Sequence, residues 1–207
     1  YYPCDVSNID EVKRQTEKIK QEVGIPDIII NNAGLGIWKS TEETNWQDVS
    51  DYMAVPYFGA FYMTKAFLPE MLQRKSGHIV NMTSYAGFIP FAGATAYIVA
   101  RKAMIGFHEA LTADLQGTGI KTSLAYFAKV ESTYWEHNPG SESRLPGATV
   151  LIPAITPERA ARAMVSGIAH VRKHIYAPWI IAFFNVLIQY APFVARFLIY
   201  KTGHKRK

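Results

Sequence analysis

The chain has 207 residues, 49% of them hydrophobic and 19% charged, with a formal net charge of +5. That composition excludes a disordered segment and fits one globular domain, while a lone cysteine, Cys4, excludes an internal disulfide. Positive charge is thin except at the end, where Lys201, His204, Lys205, Arg206 and Lys207 read as a basic tail for an anionic membrane surface and not as a nucleic-acid arm.

Residues 1–10 show no basic segment followed by an apolar run, so no secretory signal is expected and the location is read as intracellular. The chain starts at Tyr1 and reads as beginning inside a fold. Residues 8–23 carry spaced apolar positions (Ile9, Val12, Ile19, Val23) and predict an amphipathic helix ended by Gly24. Asp27–Ile30 predicts a short strand buried on both faces, closed by Gly34 and Gly36. Residues 44–74 predict one long helix with Pro56 inside it. Strands follow at 77–82 and 120–126, with a long helix over 95–117 between them. Thr156-Pro157, a capping residue before a proline, opens a helix over 157–173.

Strands separated by helices predict an α/β fold, a parallel sheet with right-handed crossovers and helices on both faces. Ligands of such sheets bind beyond the carboxyl ends of the strands, here 31–36, 82–87 and 127–133.

Those segments hold a specific set of residues. Asn31-Asn32-Ala33-Gly34 directly follows a strand, and Val80-Asn81-Met82-Thr83-Ser84-Tyr85-Ala86-Gly87 spans the end of another. Tyr97 stands thirteen residues after Ser84, on a helix continuing through Gly106-Phe107-His108-Glu109-Ala110-Leu111. Asp5-Val6 lies near the start. Over residues 3–133 this pattern resembles the short-chain dehydrogenase/reductase family. The resemblance implies a Rossmann-like, doubly wound parallel sheet, here lacking the first βαβ region, and NAD or NADP as cofactor. It further implies Ser84 as carbonyl polariser and Tyr97 as acid/base, with Arg101 as the cation beside it. Asp5, Val6, Asn32, Ala33, Gly34, Val130 and Ser132 would line the cofactor together with Tyr97 and Arg101. A tyrosine hydroxyl moves protons near neutral pH only if its pKa falls from about 10, which a nearby cation favours.

The chain departs from the family pattern in four places. The glycine-rich phosphate-binding turn is absent from the sequence. Arg101 stands where the family has Lys, a non-conservative exchange at a tight site, and the adjacent Lys102 should face elsewhere because one helical step turns about 100°. Pro56 occupies the position of a relay Asn. Phe127-Ala128 replaces a Pro-Gly turn and is expected to narrow the site.

Trp179–Tyr200 is mostly apolar but interrupted by Asn185, Gln189, Pro192 and Arg196. It reads as one or two short helices in a membrane interface, with Trp179, Tyr190 and Tyr200 at headgroup level; a substrate-pocket helix packed on the domain is the alternative. The expected organisation is therefore a dinucleotide-binding domain over 1–155, a substrate-side helix and connection over 156–178, and an interfacial segment over 179–207. His170 and His174 are four apart on the expected helix, but no third ligand is evident and no metal site is expected. The functional expectation is an NAD(P)-dependent oxidoreductase interconverting an apolar alcohol and its ketone or aldehyde. It would be membrane-associated, and a homodimer through the helices of 44–74 and 95–117. The alternative is a catalytically silent, membrane-associated binding or scaffold protein on the same fold.

Overall fold

The computed structural model describes residues 1–205; Arg206 and Lys207 of the expected basic tail lie outside the described residues. Four strands, β1 (Ile28–Asn31), β2 (Gly77–Ser84), β3 (Ile120–Phe127) and β4 (His174–Ala177), form one parallel sheet in the order β1-β2-β3-β4. The register pairs Ile30 with Val80, Ser84 with Phe127, and Phe127 with Ala177. Ser84 and Phe127 therefore end side by side at the carboxyl edge.

Alternation along the strands divides the core between two faces. Ile29 and Ile79 pack with Phe67 and Met71 of α3 (Gly59–Arg74) and with Leu111 of α4 (Thr95–Asp114). Val80, Ala125, Phe127 and Ile175 pack on the opposite face with Ala160 and Met164 of α6 (Pro157–Ala169). Helices thus cover both faces, as the pattern predicts. β1 departs from its expectation. It is an edge strand, and on the Val80 face its Ile28 and Ile30 stand 44% and 48% exposed.

Local chemistry explains the element boundaries. Asn8 caps α1 (Ile9–Glu22), its side chain accepting from the backbone N–H groups of Asp10 and Glu11. Gly24 closes α1 at φ +104°, its N–H donating to the Ile19 carbonyl. The helix expected over 44–74 is instead interrupted: α2 (Trp46–Met53) passes through a π-helical turn at Ala54–Phe58 into α3. Pro56 sits buried in that turn; lacking an N–H, it cannot complete the α-helical ladder there. α3 begins at glycine for a packing reason, because a Cβ on Gly59 would stand 2.9 Å from Val6 Cγ2.

The helix expected over 157–173 ends at Ala169. His170 is its cap and His174 begins β4, so the two histidines share no helix face. Thr156 caps α6 as expected, accepting from the Arg159 N–H. The helix runs so close to β4 that a Cβ on Gly167 would lie 2.4 Å from Ile175 Cδ1. A one-turn helix, α5 (Tyr134–His137), follows β3. The apolar C-terminal stretch folds as α7 (Ile180–Tyr190) and α8 (Pro192–Thr202), bent by 111° at the break between them. Among the described residues no single helix is long and apolar enough to cross a membrane.

Candidate active site

The carboxyl ends of β1, β2 and β3 open into a cavity of about 700 Å³. Ser84 and Tyr97 both line it, as do Arg101, Asn32, Gly34, Val130 and Ser132. Ser84 ends β2, where its hydroxyl accepts from the Ala86 N–H at 3.2 Å and starts the turn that carries the chain away from the sheet. Tyr97 lies in the first turn of α4 and is 6% exposed. Its ring packs on Trp38 at 5.3 Å, and it passes so close to the backbone that a Cβ on Gly36 (φ +143°) would come within 2.9 Å of Cδ2. Only glycine suits that position.

Arg101 follows one helical turn later, and its Cζ lies 4.8 Å from the Tyr97 ring centroid, in cation–π contact. The residue is 5% exposed. The Thr83 hydroxyl donates to the Arg101 carbonyl at 2.9 Å and ties α4 to β2. Gly34 makes room for the guanidinium: a Cβ there would stand 2.7 Å from Nη2 and 3.0 Å from Nη1. Lys102, as expected, is exposed and outside the cavity.

The other expected cofactor-lining residues separate. Val6 and Ala33 line a second cavity of about 310 Å³, beside β1 and the π-helical turn, which shares Ile30 and Asn32 with the first. Asp5 lines neither; its carboxylate accepts from the Ser7 backbone and hydroxyl at 2.9 and 2.7 Å, which holds it below the usual carboxylate range. Pro56 also faces the second cavity and not the one holding Tyr97. Phe127 is 8% exposed and belongs mainly to the core under α6, though with Ala128 it forms part of the larger cavity's wall.

Val130 and Ser132 owe their placement to Ile155. A parallel bridge joins Val130 to Ile155, whose N–H donates to the Lys129 carbonyl at 3.0 Å while its own carbonyl accepts from Glu131 N–H at 2.9 Å.

Sequence reasoning missed the aromatic wall. Trp38 packs against Phe91 at 5.1 Å and Trp135 at 5.7 Å, and its Nε1 donates to the Tyr134 hydroxyl at 3.2 Å. That hydroxyl donates to the Gly36 carbonyl at 2.8 Å, and burial pushes its pKa up. Arg144 and Glu43 form a bidentate pair at 2.6 and 2.9 Å that joins the two loops bearing this wall; the guanidinium holds the Glu43 carboxyl far below its usual range. The signal was present: aromatics clustered in loops that follow strand carboxyl ends. α7 and α8 close the cavity with Phe184, Leu187, Ile188, Leu198 and Ile199. Their other faces are apolar and exposed, with Phe183, Tyr190, Phe193, Phe197 and Tyr200 between 59% and 83% accessible.

The arrangement places a hydroxyl at a strand end, a phenol and a fixed cation around one largely apolar space. A family model described as short chain dehydrogenase matches residues 1–141. The chain is 34% identical over 194 residues to estradiol 17-beta-dehydrogenase 11 of Macaca fascicularis, covering 92% of this chain and 62% of that protein. It is 33% identical to human 17-beta-hydroxysteroid dehydrogenase 13 with the same coverages. The chain thus spans just under two thirds of these relatives' length. Among solved structures, its fold is similar to a short-chain dehydrogenase from Burkholderia cenocepacia in complex with NADP (TM-score 0.78, 18% identity, 94% of this chain and 76% of that one). A short-chain dehydrogenase from Sphingobium yanoikuyae in complex with NADPH is similar too (TM-score 0.77, 17% identity, 99% and 77%).

Proposed function

The chain belongs to the short-chain dehydrogenase/reductase family, and from that premise we propose that it interconverts an apolar alcohol and its ketone or aldehyde with NAD or NADP. One observation carries the reading: Ser84, Tyr97 and Arg101 line a single cavity whose remaining wall is largely apolar.

The residues present fit the nicotinamide end of a dinucleotide. A buried guanidinium with a free Nε stands beside a glycine whose Cβ would collide with it, next to Asn32, Val130 and Ser132. Those residues would hold that end, and Val6 and Ala33, which line the second cavity, the other, with Asp5 at the surface beside Val6. When bound, NAD(P) accepts or supplies the hydride. The Ser84 hydroxyl donates a hydrogen bond to the substrate oxygen and polarises it. Tyr97 Oη takes the proton from that oxygen or returns it. Arg101 holds its fixed charge against the Tyr97 ring. Trp38, Phe91 and Tyr134 keep bulk water from the reacting atoms, which strengthens each of these interactions.

The exposed apolar faces of α7 and α8, beside Lys201, His204 and Lys205, support attachment to an anionic membrane surface inside the cell. Phe58, Phe61 and Val99, exposed on α3, α4 and the turn before α3, support a homodimer.

The test is a titration with NADH and NADPH, following nucleotide fluorescence excited through tryptophan, and then turnover of apolar alcohols. Saturable binding and turnover abolished by Tyr97→Phe are expected. A folded sample that binds neither nucleotide overturns the proposal.

A further inference from the structure

α7 is apolar on almost every side, so burial alone does not choose the face that turns inward. Its two amide side chains, Asn185 and Gln189, stand four apart and form one stripe. By polarity that stripe belongs on the water side. Instead Asn185 is 9% exposed, and its Nδ2 donates to the Tyr176 hydroxyl of β4 at 3.1 Å. Its Oδ1 is buried without a hydrogen-bond partner among the described residues. Ile181, one turn earlier, is the other buried residue of α7. Phe183, Val186 and Tyr190 are left outside, while Phe184, Leu187 and Ile188 line the large cavity. One residue turns a helix by about 100°. A rotation smaller than that would carry Asn185 into water and turn Phe183 toward the cavity. A buried amide is costly unless hydrogen-bonded, so the observed rotation depends on the single bond to Tyr176.

We propose that Tyr176 and Asn185 are positioning residues that fix the rotation of α7 and so select the ligand's shape. Their bond puts Phe184, Leu187 and Ile188, and not Phe183, into the hydrocarbon wall of the cavity. Neither residue lines that cavity, so both act through the helix they orient. An inward amide with one atom unpaired adds little stability. It gives the helix one orientation where apolar packing would allow several, the use for which single buried polar residues are best attested. The same bond keeps Phe183, Val186 and Tyr190 on the outer surface. The role in ligand selection rests on the proposed oxidoreductase function; the role in orienting α7 does not.

The test is thiol labelling of the full chain by a neutral maleimide. Ala182→Cys, at a half-buried position that the alternative rotation would expose, is the reporter, with Cys4→Ser removing the native thiol. Tyr176→Phe deletes the bond and keeps the ring that stacks on Tyr126 at 5.1 Å. It should speed labelling about tenfold or more, because the amide loses its only inward partner. Adding Asn185→Leu should restore the slow rate, since no amide remains to seek water; a packing role alone predicts further damage. Labelling of Tyr176→Phe at the parent's rate overturns the proposal, as does a double variant no slower than Tyr176→Phe. Asn185→Leu alone should label slowly and unfold in urea at or above the parent's midpoint. A lower midpoint or faster labelling there overturns the proposal even if Tyr176→Phe fails to fold. In turnover, the ratio of kcat/KM for hexadecanol to that for octanol should shift in Tyr176→Phe and return in the double variant; a constant ratio removes the role in ligand selection. Labelling as expected with no turnover by any chain sinks the oxidoreductase reading and leaves the orienting role standing; turnover with unchanged labelling does the reverse.

Discussion

Acid should weaken this fold through His108. The residue lies on α4, 5% exposed, at the centre of a buried polar chain. Asn31 Nδ2 donates to Asn81 Oδ1 at 2.8 Å and to Thr64 Oγ1 at 3.2 Å. Asn81 Nδ2 then faces His108 Nδ1 at 3.5 Å, while Thr112 Oγ1 lies 3.4 Å from Nε2. The Thr112 hydroxyl already donates to the His108 carbonyl at 2.7 Å, so Nε2 carries the proton and Nδ1 accepts. Protonating Nδ1 would set one donor against another, and turning the Asn81 amide would break its bond to Asn31. Burial, with a smaller contribution from the charge of His174, lowers the His108 pKa from 6.5 to about 4. Between those values the unfolded chain binds the proton and the folded chain does not, so stability falls as pH falls through that window. A shift of this size corresponds to a loss of about 3 kcal/mol across the window. Burial also lowers the pKa of His78 and of His174, which add acid sensitivity of the same sign. Urea unfolding between pH 7 and pH 4, run beside His108→Gln, isolates the contribution, and the variant should show the flatter stability profile. Parallel profiles would refute the reasoning.

Three further outcomes are expected. With apolar alcohols, Tyr97→Phe should lower kcat by about a hundredfold or more, and Ser84→Ala should also lower it, while both variants keep nucleotide affinity in the fluorescence titration. Turnover unchanged in either variant would remove that residue from the chemistry. Pro56→Asn should bring no gain in kcat/KM, because position 56 faces the second cavity and not the one holding Tyr97; a large gain in steady-state kinetics would contradict this. Gly167→Ala should destabilise the fold by about 1–3 kcal/mol in urea titration, since the added methyl meets Ile175 at 2.4 Å. An unchanged midpoint would mean that α6 can retreat from β4.

Much of the fold was legible because local signals agreed. Gly24 and Thr156-Pro157 mark helix ends by capping chemistry, and short apolar runs mark β1 and β2. β4 was not legible: His174–Ala177 is four residues long and begins soon after α6 ends at Ala169, so its apolar spacing merges with the helical pattern. The break at Ala54–Phe58 needed tertiary information, because a proline within a periodic stretch signals a kink and does not specify a π-turn. In the site, Ser84, Tyr97 and Arg101 were legible through the resemblance to the family, and one helix turn sets Arg101 beside Tyr97. The Trp38–Tyr134 contact joins loops almost a hundred residues apart, and no local pattern encodes it.

The two helices that close the cavity lie beyond residue 141, where the family match ends. The boundary of the family model therefore runs through the cavity itself. The side bearing Ser84, Tyr97 and Arg101 lies within the family model, whereas the hydrocarbon side lies beyond it, in sequence that the match to estradiol 17-beta-dehydrogenase 11 still reaches. Exchanging α7 and α8 for those of another family member would transplant a preference for ligand shape while leaving the reaction type behind. Because the opposite faces of the same helices are the exposed ones, the graft would carry the proposed surface attachment with it, coupling ligand preference to that proposed attachment.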